Sequence, residues 1–195
     1  MAKSDTISAS GVRRAAAVPV TLAALFIGVG LTGAAFAAGG GSDASGPVRS
    51  CPRGEIYDGT KGKCVKQSSD AVTDDTRYAY GGWLAQTGRY GEAIDVLSLA
   101  ENKDDPRILN YLGYAHRNLG RFEVGLGYYR QALAVDPNYV KAREYMGEAF
   151  VVLGKIDEAR EQLSEIATRC GETCEEYRLL AEAIDDYDRA RLNRS

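Results

Sequence analysis

The sequence predicts an all-α protein in which about three helix hairpins stack side by side, with a C-terminal capping helix after them and a small disulfide-closed loop segment before them. One observation is a recurring glycine, basic residue and large apolar residue, which begins at Gly88, Gly120 and Gly154. The other is that apolar residues around each recurrence follow the three-and-four spacing of helices. Repetition at this period is typical of stacked helical hairpins, because each hairpin can bury its apolar face only against a neighbour.

Residues 1–37 have the parts of a secretory signal peptide. A basic start ends at Arg14, an uncharged run follows from Ala15 to Ala38 with its most apolar part at Val18–Leu31, and Ala35-Phe36-Ala37 has the small-x-small pattern of a cleavage site. The same run is long enough to span a bilayer as an uncleaved anchor. Its Ala and Gly content and the cleavage site favour removal. We therefore expect an exported protein of the Gram-negative periplasm, attached to the inner membrane only if the segment is not cleaved.

Residues 38–50 are expected to form a flexible linker, because the segment is rich in Gly and Ser. Residues 51–66 then read as a turn-rich loop, in which Cys51 and Cys64 flank three glycines and one proline. Export to an oxidising compartment favours a disulfide between these two cysteines. The chain-entropy estimate gives such a closed loop about 3 kcal/mol of stabilisation. A metal site is disfavoured, because neither the cysteine spacing nor the histidine supply fits one.

The repeats are expected at 74–105, 106–139 and 140–173, each consisting of two helices joined by a tight turn. A glycine seven residues before the turn glycine recurs at Gly81, Gly113 and Gly147. Small residues at such places let the paired helices approach closely. Asp136-Pro137 ends the second helix of the middle repeat, as a proline beyond a helix end does.

This pattern resembles the tetratricopeptide repeat family over about Asp74 to Cys170. The middle repeat matches best, with family positions filled by Leu112, Gly113, Ala115, Gly120, Phe122, Tyr129, Ala132 and Pro137. Gly125 departs from the family, which usually has Ala there. The resemblance implies a right-handed superhelical array that performs no catalysis and binds peptides or partner helices in a concave groove lined by the first helix of each repeat.

The resemblance also assigns groove-facing positions, which are Asp75, Tyr78, Gln86, Arg107, Asn110, Tyr114, Arg117, Asn118, Lys141, Glu144 and Glu148. Among these, the partner-binding candidates are Tyr78, Arg107, Asn110, Tyr114, Arg117, Lys141 and Glu144. Two arginines and a lysine could pair with a carboxylate, and Asn110 could hydrogen-bond an extended peptide. The alternative is a solvated helix face that needs no ligand. Family members that clamp a C-terminal carboxylate use a fuller Lys and Asn set than this chain has.

Cys170 and Cys174 are expected on either side of a helix–helix turn at Gly171, close enough for a structural disulfide. The alternative is a thiol-redox or enzyme accessory role, because a cysteine at a helix start has a lowered thiol pKa. Residues 174–192 continue the apolar stripe without a second helix and read as the capping helix. Thr173 and Glu176 suggest a capping box at its start. The acidic residues expected to face away from the array are Glu175, Glu176, Glu182, Asp185, Asp186 and Asp188.

The amino-acid composition excludes several classes of function. The chain has 24 basic and 27 acidic residues, which argues against a nucleic-acid partner because phosphates need a clustered basic excess. Its single histidine, His116, excludes multi-histidine metal sites and is expected to pack in the core. The common phosphate-binding, zinc-protease and hydrolase motifs are absent from the sequence. We therefore expect no enzyme activity, cofactor, metal or small-molecule substrate, and a protein or peptide partner.

Overall fold

The computed structural model describes residues 48–193, which form a β-hairpin followed by seven α-helices. The strands are β1 (Glu55–Asp58) and β2 (Lys63–Lys66). The helices are α1 (Asp74–Gln86), α2 (Tyr90–Leu97), α3 (Pro106–Asn118), α4 (Phe122–Val135), α5 (Val140–Val152), α6 (Ile156–Cys170) and α7 (Glu175–Leu192). The signal-peptide prediction for residues 1–37, and the linker up to residue 47, lie outside the described residues. Within residues 48–193, no helix has both the length and the apolar character needed to cross a bilayer.

The recurring glycine has a backbone role. Gly88, Gly120 and Gly154 adopt φ angles of 81°, 76° and 71°, a left-handed conformation that costs glycine least because it has no Cβ. Each lies in the turn between the two helices of a pair, α1–α2, α3–α4 or α5–α6. Gly171 has the same sign of φ, at 81°, and ends α6. The sequence pattern thus marks the points where the chain reverses.

The core consists of two buried clusters that both include residues of α3. One buried cluster joins the hairpin to α1, α2 and one side of α3, including Ile56, Leu84, Leu97 and Leu112. A second cluster extends from Leu109 on α3 through α4, α5, α6 and α7. Because α3 contributes to both clusters, each pair covers the apolar face of the next, as a stacked array requires.

The Cys51–Cys64 segment differs in part from its prediction. The disulfide is present, with a Cα–Cα distance of 5.8 Å, but the segment is an antiparallel β-hairpin and not an irregular loop, with Ile56 opposite Val65 in the register. Two four-residue strands are too short for alternation to be distinguished from a turn-rich loop. The hairpin covers the N-terminal end of the array, because Ile56 is fully buried and the Cys51 backbone N–H donates to the Tyr80 hydroxyl over 2.9 Å.

Helix α7 packs on α5 and α6 through buried Leu180 and Ile184. Its start differs from the capping-box prediction, since Cys174 is the N-cap and makes no side-chain cap hydrogen bond. Two of the acidic residues predicted to face away also bind back to the array. Glu176 lies 3.3 Å from the Lys141 ammonium and Asp188 accepts from Arg160 over 2.7 Å. The prediction that these two side chains face away was wrong, because the apolar stripe of α7 does not show which cations of neighbouring helices come within reach.

Candidate functional site

The first helices of the pairs adjoin one another, with α1 against α3, α3 against α5, and α5 against α7. Their shared surface carries a row of tyrosines, Tyr78, Tyr111, Tyr114 and Tyr145, which we call the first-helix face. All four are partly buried. Contacts across this surface join side chains that are about thirty residues apart in the sequence, so the stacking of the helices creates the site.

The tyrosine rings contact one another across helix boundaries. The ring centroids of Tyr78 and Tyr111 are 5.6 Å apart, and those of Tyr114 and Tyr145 are 5.0 Å apart. Burial raises the pKa of Tyr111 and Tyr114, and it raises the pKa of Tyr145 to about 12. These hydroxyls therefore stay protonated at neutral pH and can donate hydrogen bonds. Gln86, another predicted groove residue, donates to the Tyr111 hydroxyl over 2.9 Å.

Tyr111 and Tyr145 are absent from the predicted groove-facing set, yet both belong to the first-helix face. A sequence signal for them exists, because they stand at the same place in successive 34-residue repeats. Their partners Tyr78 and Tyr114 were predicted, and the structure brings all four together.

Arg107 is held by two carboxylates. Its Nη2 lies 2.7 Å from Oδ2 of Asp105 and 2.8 Å from Oδ1 of Asp75 on α1. The guanidinium also lies over the Tyr78 ring, 4.7 Å from its centroid. Hydrogen bonding to Arg107 lowers the pKa of Asp105, and the contact with Asp105 raises the pKa of Arg107. Arg107 is therefore a fixed part of the junction between α1 and α3.

Arg117 and Lys141 are paired as well. Arg117 lies 5.5 Å from the ring centroids of both Tyr114 and Tyr145 and forms a 2.6 Å ion pair with Glu148 on α5. Lys141 contacts Glu144 at 2.8 Å and Glu176 on α7 at 3.3 Å. Burial would lower the pKa of Lys141, but its contacts with these carboxylates raise it. Each predicted binding cation thus already has an internal carboxylate partner.

Asn110 and Glu144 lie beneath the face and not on its surface, since each is only 1% exposed. Burial raises the pKa of Glu144, and Lys141 opposes that shift. The Oδ1 atom of Asn110 has no hydrogen-bond partner within the described part of the chain. Both residues were predicted to contact a partner, and in this conformation neither presents its polar group to solvent.

All four cysteines are in disulfides, and the second bond joins Cys170 to Cys174 across the α6–α7 turn. In residues 48–193, these two sulfurs and Glu176 form the one cluster with metal-ligand proximity, but both sulfurs are already bonded to each other. His116 is partly buried and stacks on Tyr128, with 5.4 Å between the ring centroids. Burial lowers its pKa, which keeps it neutral at physiological pH.

Comparison with known proteins agrees with this architecture. The sequence model of the tetratricopeptide repeat family matches residues 111–173. Residues 111–173, which run from α3 to the α6–α7 turn, therefore resemble tetratricopeptide repeats. No curated protein sequence matches the chain.

Solved tetratricopeptide domains share the fold of this array. The first such domain of human RPAP3 is 21% identical with a TM-score of 0.52, over 60% of this chain and 96% of that one. The Sgt2 domain from Aspergillus fumigatus is 21% identical with a TM-score of 0.54, over 63% and 82%. The first domain of Spaghetti (RPAP3), solved with the HSP90 peptide SRMEEVD, is also 21% identical with a TM-score of 0.54, over 63% and 96%.

Proposed function

We propose that this chain is a non-catalytic scaffold that binds a protein or peptide segment on its first-helix face. The observation that carries the proposal is the row of four partly buried tyrosines, which spans three helices and combines ring surface with hydroxyl donors. Aromatic side chains that pair a rigid apolar body with a polar tip suit protein recognition. A structurally similar tetratricopeptide domain was solved with a bound peptide, which supports the same use here.

The proposal includes export to the periplasm of a Gram-negative bacterium. The basic start and apolar run of residues 1–37 support it. So do the two disulfides, one within the hairpin and one across the α6–α7 turn, because disulfides persist in oxidising compartments. Sequencing the N-terminus of the mature protein tests this. A start at Ala38 agrees with cleavage, whereas an intact N-terminus in the inner-membrane fraction would instead show an anchored scaffold.

The binding proposal can be tested by selecting displayed random peptides on the mature protein. Enriched peptides should bind at least about tenfold more weakly to Tyr114→Ala, because loss of a central aromatic contact removes a large share of interface energy. Tyr187→Ala is the matched control, since Tyr187 lies on α7 near Gly154 and away from the first-helix face. Circular dichroism checks that both variants fold.

Two results would contradict this proposal. One is that no peptide is enriched over an unrelated bait. The other is enrichment of peptides whose affinity falls equally in Tyr114→Ala and Tyr187→Ala.

A thiol-redox role is the second candidate, and the exposure of Cys170 at the α6–α7 turn favours it. Titrating thiols in the native and the denatured protein separates the two functions. The scaffold proposal expects four oxidised cysteines in both titrations. A reactive, low-pKa thiol that forms readily at Cys170 or Cys174 would support redox chemistry.

A further inference from the structure

We propose that the first-helix face selects a basic peptide segment, one whose lysine or arginine side chains bind its carboxylates. This inference rests on the proposed scaffold function and assigns the chemical class of its partner. The ion pairs of the first-helix face contain more acidic than basic groups. Its three cations, Arg107, Arg117 and Lys141, contact five carboxylates within 3.3 Å, so the set carries a net charge of −2 when all its members are ionised.

The two carboxylates that share Arg107 are not held equally. Asp105 accepts from the backbone N–H, Nε and Nη2 of Arg107, and its side chain is 9% exposed. Asp75 accepts from Nη2 alone, and its side chain is 81% exposed. An exposed ion pair of this kind contributes little to stability. Asp75 is therefore the carboxylate that an incoming cation can reach without breaking the buried contacts of Arg107.

A smaller asymmetry of the same kind is found at Lys141. Its ammonium lies 2.8 Å from Glu144, whose side chain is 2% exposed, and 3.3 Å from Glu176, whose side chain is 19% exposed. The face thus has a second carboxylate, at the α5–α7 junction, that shares its cation with a closer competitor.

An acidic ligand meets the opposite situation. To reach Arg117 it would have to displace Glu148 from a 2.6 Å pair in which the Arg117 side chain is 13% exposed. Removing one partner of a largely buried pair leaves the other charge uncompensated, which is costly. The surrounding net negative charge adds repulsion, and like-charge contacts are how interfaces reject wrong partners.

The tyrosines add a site for the stems of basic side chains. Arginine and lysine of this chain already lie over Tyr78, Tyr114 and Tyr145, between 4.7 Å and 5.6 Å from the ring centroids. The ring faces in this row are therefore suited to cations and to the methylene groups that carry them. Beneath the same side of α3, buried Asn110 keeps an Oδ1 acceptor without a hydrogen-bond partner in the described residues, three residues after Arg107 and four before Tyr114.

The test uses the full mature protein and three length-matched peptides that share one Gly–Tyr framework and carry Lys, Ser or Glu at the same positions. Calorimetric titration should give the Lys peptide an affinity at least about tenfold above that of the Ser peptide, and the Glu peptide the weakest binding. Affinity for the Lys peptide should fall as ionic strength rises from about 0.05 M to about 0.5 M, because exposed charges are screened.

Asp75→Asn should weaken binding of the Lys peptide about fivefold while leaving the Ser peptide unchanged, because it removes a charge-assisted hydrogen bond. Asp95→Asn is the control, because Asp95 is also exposed and in a single ion pair, with Arg53, but lies on α2. Preference for the Ser or Glu peptide, equal loss in both variants, or no binding by any of the three peptides would overturn the inference. The display selection tests the scaffold function separately. If the enriched peptides lack basic residues but still lose affinity in Tyr114→Ala, the scaffold function stands and only the basic partner class is rejected.

Discussion

At the scale of single residues, glycines set how closely paired helices approach. A Cβ on Gly125 would lie 2.9 Å from the carbonyl oxygen of Gly113, which is backbone and cannot move aside alone. A Cβ on Gly113 would lie 2.6 Å from the Tyr129 ring. The close contact of α3 with α4 therefore explains why Gly125 stands where the tetratricopeptide family usually has alanine.

Gly125→Ala should lower the free energy of unfolding by about 1–3 kcal/mol, because the added methyl group overpacks the α3–α4 contact. Gly127→Ala is the control in the same helix, since nothing lies within 4 Å of its added Cβ. That variant should be neutral or up to about 1 kcal/mol more stable, through the higher helix propensity of alanine. Urea denaturation measures both values. Equal effects of the two substitutions would show that the helices are not this close.

At the scale of elements, the two ends of the array are covered by different structures. The disulfide-closed hairpin covers α1, through Ile56 and the hydrogen bond from Cys51 to Tyr80, and α7 covers α5 and α6. A stacked array leaves an apolar face at each end, which must be covered for the protein to stay soluble. Both covers are next to a disulfide.

The Cys51→Ser, Cys64→Ser double variant should lose about 3 kcal/mol of unfolding free energy, because the unfolded chain regains the entropy of the open loop. The Cys170–Cys174 disulfide closes a shorter loop, with a sequence separation of 4 against 13, so the Cys170→Ser, Cys174→Ser double variant should lose about 2 kcal/mol. Chemical denaturation of both variants under the same conditions provides the comparison. A hairpin variant as stable as the parent would mean that the hairpin stays packed without its cross-link.

Leu180→Ala should destabilise the protein by about 2–5 kcal/mol, because a fully buried leucine is replaced by a cavity. Leu180 is 0% exposed and lies where a Cβ on Gly147 would be, so it joins α7 to α5. Its neighbour Leu179 is 39% exposed, and Leu179→Ala should change stability by less than about 0.5 kcal/mol. Thermal unfolding monitored by circular dichroism distinguishes them. Equal shifts in both melting temperatures would contradict the packing of α7 described here.

At the scale of the whole molecule, stability should depend on pH at both extremes. The hydrogen bond from Lys61 lowers the pKa of Asp58 from 3.8 to about 2, and hydrogen bonding to Arg107 and to Arg89 lowers the pKa of Asp105 and Glu92. A lowered folded-state pKa stabilises the folded protein above the unfolded-state value, and this contribution is lost as pH falls through the folded-state value. Partly buried Tyr145, with its pKa raised to about 12, makes stability depend on pH at the alkaline end.

Urea denaturation across pH should therefore show stability falling between about pH 4 and pH 2, and again between about pH 10 and pH 12 as the tyrosine contribution is lost. Asp58→Asn should lower stability at neutral pH and reduce the loss on the acid side, because the amide no longer titrates. If Asp58→Asn loses as much stability at acid pH as the parent protein, the titration of Asp58 is not the cause of that loss.

Much of the fold could be predicted because its signals are local. Gly88, Gly120 and Gly154 mark the turns through their own backbone conformation, and the spacing of apolar residues marks helices whatever lies next to them. The hairpin at 55–66 could not be separated from a turn-rich loop, because its strands are four residues long and its order depends on burying Ile56 against α1.

The candidate site was predicted less completely. The family resemblance placed Tyr78, Arg107, Tyr114, Arg117 and Lys141 on one surface, and in the structure their side chains contact the tyrosines of the first-helix face. It did not reveal that Asp75, Glu148 and Glu176 neutralise those cations, or that Asn110 lies buried. Such pairings join residues of different repeats, and a pattern along the chain does not contain the distances between stacked helices.

The sequence by itself therefore determined where the helices turn and repeat, since those features follow from each turn residue's own conformational preference and from a period that any stacked hairpin must satisfy. The charge that the first-helix face offers to a partner was decided only by the tertiary structure. A carboxylate and a guanidinium neutralise one another through space within a few ångströms, and packing of α1, α3, α5 and α7 sets which of them meet.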